Sequence, residues 1–282
     1  MAYGLAPVPR RRRISAAVLA VLAVLAVWGP GALALRRTAY ATLTAFTAVV
    51  QASQTVGDSH LMVPHFVIAY PPGDRAAAWV VARGLEQAWP LEAERLGQAP
   101  PFPLPVMVYS QPAAMNRAVG VRARDRDLGF YWNGAIRVVA PQVWPGPGPG
   151  QDAVFLRQGP VAHELGHAML AFAADGNYPD WFNEGMAQVL DTAVTGWSAP
   201  RPPGPLYPPN ALEMRFYTLP NQAMAYWEAD QWTRFLLAHG GWPRLRRLIQ
   251  RLAAGEPFNQ ALAEVYPWSS PAALDAAWLD GQ

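Results

Sequence analysis

His163-Glu164-Leu165-Gly166-His167, answered by Asp180-Trp181-Phe182-Asn183-Glu184-Gly185, is the stretch on which the reading of this chain turns. On an α-helix, residues four positions apart lie only about 40° apart around the axis, so His163 and His167 share one face. Two imidazoles at that spacing can meet one metal ion. Glu164 sits about 100° from His163 and about 60° from His167, so its carboxylate flanks the same ion without having to bind it. Two nitrogen ligands beside a free carboxylate are what metal-assisted hydrolysis requires. The bland alternative is a solvated helix face. It is weak here, because Ala162, Leu165, Ala168, Met169, Leu170 and Phe172 make the helix apolar. A polar trio on such a helix is costly unless it has partners.

A zinc site needs a third protein ligand and an open position for water. The sequence predicts that the first helix runs through Asp175 and stops at Gly176, with Asn177-Tyr178-Pro179 as a turn. Asp180 is a suitable N-cap for a second helix, which puts Glu184 in that helix's first turn. About eight helical residues carry the chain roughly 12 Å beyond His167, and the turn plus one helical turn can bring it back. Glu184 is therefore the expected third ligand.

These residues carry a resemblance. HELGH, followed after sixteen residues by the Glu of Trp-Phe-Asn-Glu-Gly-Met-Ala, looks like the gluzincins, the HExxH…E zinc metallopeptidases. It is most similar to bacterial peptidase MA-like domains, which share a W-[LF]-N-E-G-x-A block with the M1 aminopeptidases. His65–Tyr70, the helix after it, Pro105–Tyr109 and the Ala225-Tyr226 helix fall in the expected order, so the resemblance covers roughly residues 60 to 282. It implies an α+β, zincin-like fold: a small mixed sheet and the active-site helix in an N-terminal lobe, then a mostly helical C-terminal lobe. It also implies one zinc ion held by His163, His167 and Glu184, Glu164 as general base, and a peptide or protein substrate. Tyr226 resembles the tyrosine that steadies the transition state in MA-like domains; Tyr217 and His239 are weaker candidates. The strand Ala135–Ala140 would be the edge strand that pairs with the substrate backbone.

The chain departs from the family in places. Gln188 stands where some gluzincins carry an Asp that supports a ligand histidine, leaving Gln188, Asp191 or a backbone carbonyl for that task. Glu228-Ala229 stand where Gln-Ser is frequent. No G-x-M-E-N block is present to bind a free amino terminus, which favours endopeptidase over aminopeptidase activity.

All 22 basic residues are arginine, and there is no cysteine and hence no disulfide framework. The absence of lysine points to genomic base bias and a bacterial source. Six arginines lie in residues 10–37, where there is no acid, leaving 16 arginines against 20 acids and a net of −4 for the remainder. A slightly acidic body without a basic patch argues against nucleic-acid binding.

Arg10–Arg13 precede an uncharged run, residues 14–35, that as a helix spans roughly 33 Å, enough for a bilayer core. The arginines favour a cytoplasmic amino terminus. Two readings stand: a single-pass membrane anchor, or a signal peptide cleaved after Ala32-Leu33-Ala34. Both export the remainder. The expected layout is a basic cytoplasmic tail (1–13), the anchor or signal segment (14–35), a stalk (36–59) and the catalytic domain (60–282).

Within that domain the patterns predict a strand at His65–Tyr70 and a helix capped by Asp74 and kinked or split at Pro90. A second strand follows at Leu104–Tyr109, then a hairpin around Asn133-Gly134. His60 and His65 read as structural or surface residues. Gly196–Pro209, with six prolines, reads as a loop at the cleft, followed by four helices over 222–280 whose Trp and Leu positions form core. The rival to the peptidase reading is a non-catalytic module that uses the same cleft to bind peptides at the cell surface.

Overall fold

The computed structural model describes residues 40, 42, 44, 59–119, 128–132 and 134–281. Its elements in chain order are β1 (Ser59–Met62), β2 (Phe66–Tyr70), α1 (Arg75–Leu96), β3 (Leu104–Tyr109), α2 (Pro112–Val119), β4 (Gly129–Trp132), β5 (Ala135–Val139), α3 (Gln151–Gln158), α4 (Val161–Ala173) and α5 (Asp180–Thr195). There follow α6 (Pro209–Arg215), a 3-10 turn (Phe216–Thr218), α7 (Gln222–Ala238), α8 (Gly241–Ala253), α9 (Phe258–Val265) and α10 (Pro271–Asp280). The chain is thus mixed α+β and mostly helical, with one small sheet. Residues 14–35 and Asn133 lie outside the described residues; among those described, no helix is long and apolar enough to cross a membrane.

The sheet has the order β1-β2-β3-β5-β4, with β2, β3 and β5 parallel and β1 and β4 antiparallel at its two edges. This corrects the expectation for Ala135–Ala140. All five residues of β5 are buried and both its backbone sides are paired, so it cannot take up a substrate strand. The edge is β4, whose side chains are only partly covered. A run with four apolar residues of five suits the sheet interior, where both faces are packed, and the one charged residue, Arg137, is buried with them.

Helix α1 starts after Asp74, but that side chain does not cap it. It turns instead to accept hydrogen bonds from Ser110 Oγ and Gln142 Nε2, tying the helix start to the ends of β3 and β5. Nor is α1 split at Pro90, which sits on the exposed side, where water can replace a backbone bond that proline cannot make. Helix α4 ends at Ala173, two residues early, and Asp175 and Gly176 both take left-handed backbone angles. Tyr40, from the expected stalk, packs edge-on to Phe172 at 6.4 Å, and a Cβ on Gly176 would come within 3.0 Å of its ring. At the start of α5 the capping position belongs to Pro179 and Asp180 is the first helical residue. There its carboxylate favours the positive end of the helix without a capping bond.

The core joins both halves of the chain. Trp181 of α5 is fully buried, with Trp232 of α7 at 5.0 Å and Phe258 of α9 at 5.2 Å, both edge-on. Such pairs add about 0.5–1.5 kcal/mol each beyond their buried area.

The proline-rich segment ends within one residue of the expected position, and α6 follows it from Pro209. It is also pinned: the Tyr207 N–H donates to the fully buried Glu228 carboxylate at 2.9 and 3.2 Å, and Asn221 N–H donates to the Tyr207 hydroxyl. Burial pushes the Glu228 carboxyl up to about 7, against the opposing Tyr207 N–H. A glutamate ionises near 4.5 when unfolded, so holding this charge destabilises the fold increasingly from pH 4.5 to 7 and fully above. Glu228→Gln keeps an acceptor oxygen and carries no charge. It is expected to raise stability by about 1–2 kcal/mol at pH 8 and to change little at pH 4, as read by denaturant unfolding at both pH values.

Candidate metal centre

Two glycines let the helices of the site approach one another. A Cβ on Gly166 of α4 would lie 3.0 Å from Ala187 Cα of α5, and one on Gly185 of α5 would collide with Ala229 O and Thr233 Oγ1 of α7. Any larger residue would push α5 off one neighbour or the other. The tight crossing brings the side chain of Glu184 onto the face of α4 that carries both histidines.

His163 Nε2 and His167 Nε2 are 3.1 Å apart, and Glu184 Oε2 lies 3.3 Å from the first and 3.4 Å from the second. A tetrahedral ion bound at about 2.0–2.1 Å holds its ligand atoms roughly 3.3–3.4 Å apart. The donor triangle therefore has nearly the edges that a zinc ion needs. Glu184 is 4% exposed and His167 7%, and Glu184 Oε2 accepts no hydrogen bond. Among the described residues no other cluster of three such side chains is close enough to hold a metal.

Within the cluster these groups act on one another. Burial disfavours the charged form of His167, but the Glu184 carboxylate outweighs it and pushes the imidazole up to about 9. Burial likewise opposes ionisation of Glu184, and the His167 and His163 charges overcome it, holding the carboxyl well below the usual range. His167 Nδ1–H donates to Asn183 Oδ1 at 2.9 Å, leaving Nε2 free for an ion. The motif assigns Asn183 no such role. The residue lies in the first turn of α5, where that helix crosses α4.

Glu164 is 6% exposed, and burial raises its carboxyl against the lowering charges of His167 and His163. The Tyr131 N–H of β4 donates to it. A Cβ on Gly129 would come within 2.8 Å of Glu164 Cγ and of Pro160 Cβ, so only glycine lets the edge strand lie this close.

Tyr217 reaches the cluster directly. Its hydroxyl donates to Glu184 Oε1 at 2.8 Å, and the residue is 45% exposed. Tyr226 stands next to it, within electrostatic reach, with its ring edge-on to Phe216 at 5.4 Å. Neither Gln188 nor Asp191 hydrogen-bonds His163 or His167. Gln188 Nε2 donates to Tyr226 O at 2.6 Å, tying α5 to α7. Burial pushes Asp191 up to about 7, and its Oδ1 accepts no hydrogen bond. Behind it, burial and then the Asp191 charge raise Glu92, which is fully buried, well above the carboxylate range and favour its neutral form. His65 is held by Glu86 at 2.7 Å and stacks on Trp89. His239 packs on Phe235 and Trp268, away from the cluster.

Fold and site together define an α+β protein with a buried donor set of two histidines and one carboxylate, and a second carboxylate beside it. The sequence matches no protein-family model and no curated protein.

Proposed function

We propose that this protein is a zinc-dependent metallopeptidase of gluzincin, zincin-like type that hydrolyses internal peptide bonds. The observation that carries the proposal is the donor triangle of His163, His167 and Glu184, with edges of 3.1, 3.3 and 3.4 Å. A zinc ion held there would keep a position for water and lower that water's pKa to about 7. Glu164 accepts the proton of the water and delivers it to the amine nitrogen that leaves. Its raised proton affinity suits both transfers near neutral pH. Asn183 orients His167, and Tyr217 orients Glu184 through Oε1. Beyond the Tyr131 N–H that Glu164 takes, the outer backbone edge of β4 offers main-chain hydrogen bonds to an extended peptide, a sequence-tolerant mode of capture. The apolar segment 14–35 delivers the domain outside the cytoplasm, as a membrane anchor or as a cleaved signal peptide.

The oxyanion that forms on the scissile carbonyl needs a hydrogen-bond donor besides the ion. Tyr226 and Tyr217 both stand close enough to the cluster to be tested. Phe variants of each, assayed on an unstructured protein substrate, separate them. The residue that donates to the oxyanion is expected to lose about 100-fold in kcat with KM and zinc content unchanged. The other is expected to stay within a few-fold of the parent. If neither variant changes kcat, the tyrosine assignment is wrong.

A further inference from the structure

The tether between the apolar run 14–35 and the first residue packed on the folded domain is short. Tyr40 stands five residues beyond Leu35. Its ring lies edge-on to Phe172 at 6.4 Å, and a Cβ on Gly176 would come within 3.0 Å of it. Asp175 is its charged neighbour, and the hydroxyl of Thr44, itself 7% exposed, donates to its oxygen. Of the expected stalk, only residues 36–39 stand between the apolar run and this contact.

That contact lies close to the metal centre. Phe172 stands five residues past His167 on α4, a rise of about 8 Å. Gly176 stands eight residues before Glu184, half of them within α5, a span of at most about 20 Å. Tyr178, in the turn between, is within electrostatic reach of both Tyr40 and Glu184. Tyr131 of β4, whose N–H donates to Glu164, is within reach of Tyr40 too. Tyr40 is thus within about 20 Å of the donor triangle.

On the other side, five residues reach at most about 18 Å whatever their conformation. Arg36 and Arg37 keep out of hydrocarbon, so an uncleaved run ends at the headgroups there. The donor triangle then stands no more than about 40 Å from the bilayer. A tether left free as far as Ser59 would allow about 80 Å or more.

We propose that the substrates are polypeptides anchored in the same membrane, cut in an unfolded stretch within about a dozen extended residues of its surface. The inference rests on the peptidase reading and on residues 14–35 remaining as an anchor. Confining enzyme and substrate to one surface raises their effective concentration, and the short tether bars bonds that are held farther out.

The test uses the full chain in liposomes. A sequence that the protein cuts in an unstructured soluble protein is mapped from the fragments and placed behind a single apolar helix in two substrates. In one it follows the helix directly. In the other a helical spacer of Glu-Ala-Ala-Ala-Lys repeats, about 40 residues and roughly 60 Å long, stands between. The parent is expected to cut the near substrate at least about tenfold faster than the spaced one. The same spacer inserted between Arg37 and Thr38 is expected to reverse that preference, while both enzymes cut the soluble protein alike. Equal rates on the near and spaced substrates, or a spacer-bearing enzyme that still prefers the near one, overturn the proposal and leave the peptidase reading standing. If the parent does not cut the soluble protein, the peptidase reading itself fails and this proposal with it. Release of the chain from floated liposomes shows a cleaved segment and overturns the membrane restriction alone.

Discussion

Glu164→Gln is expected to abolish turnover of a generic protein substrate, by about a thousandfold or more, while zinc content stays at that of the parent. The carboxamide fills the same volume and keeps an oxygen for the Tyr131 N–H, so the edge strand and helix α4 stay in place. What it loses is a basic oxygen. General-base transfer contributes roughly 10²–10⁴-fold, and here one group serves both proton transfers. Metal analysis beside kcat measured on the same preparation checks both halves of the statement. Equal turnover by parent and variant would leave the cleft as a peptide-binding module and remove the enzyme reading.

Glu184→Ala is expected to lose the metal itself. The substitution takes away one of the three proposed ligands and leaves two imidazoles that can close only part of a tetrahedron. The loss should exceed the roughly 10–100-fold typical of removing an outer partner, which is what Asn183→Ala should cost through His167. Zinc retained after dialysis, measured against a competing chelator for the three proteins, ranks them. The pH dependence adds a check. Raised to about 9 by Glu184, His167 holds a proton at neutral pH in the metal-free parent, so zinc must displace it and binds more weakly as pH falls. In the metal-free parent the same shift favours the fold fully below about 6.5, and that contribution fades as pH rises to about 9. In Glu184→Ala the cause of the shift is gone, and with it this slope between pH 6.5 and 9. A variant that keeps one equivalent of zinc would mean that another acid completes the site.

What could be read along the chain is what depends on short-range geometry. The helical period alone places His163 and His167 on one face, and a turn of known reach returns Glu184 to them. Apolar spacing likewise marks Trp232, Leu236, Leu245 and Leu248 as core, and all four are fully buried. The end of α4 was legible to within two residues: the helix stops at Ala173, just before Asp175 and Gly176 turn the chain with left-handed backbone angles.

Other features depend on how distant segments are set against each other. Nothing in the local pattern of residues 129–139 says which strand lies outermost; that depends on β5 pairing with β3, so β4 rather than β5 holds the edge over Glu164. Tyr217 reaches Glu184 because α6 and the 3-10 turn, invisible in a proline-rich context, return the chain to α5. Asn183 becomes the partner of His167, and Gln188 does not, through the angle at which α5 crosses α4. The sequence by itself thus determined which side chains share a helical face and which faces are apolar, since both follow from a repeat of a few residues. Tertiary structure alone decided which hydrogen-bond donor meets which acceptor across helices and which strand stays open. Those choices turn on shifts of an ångström or so between packed elements, which glycines such as Gly166 and Gly185 permit but no local pattern encodes.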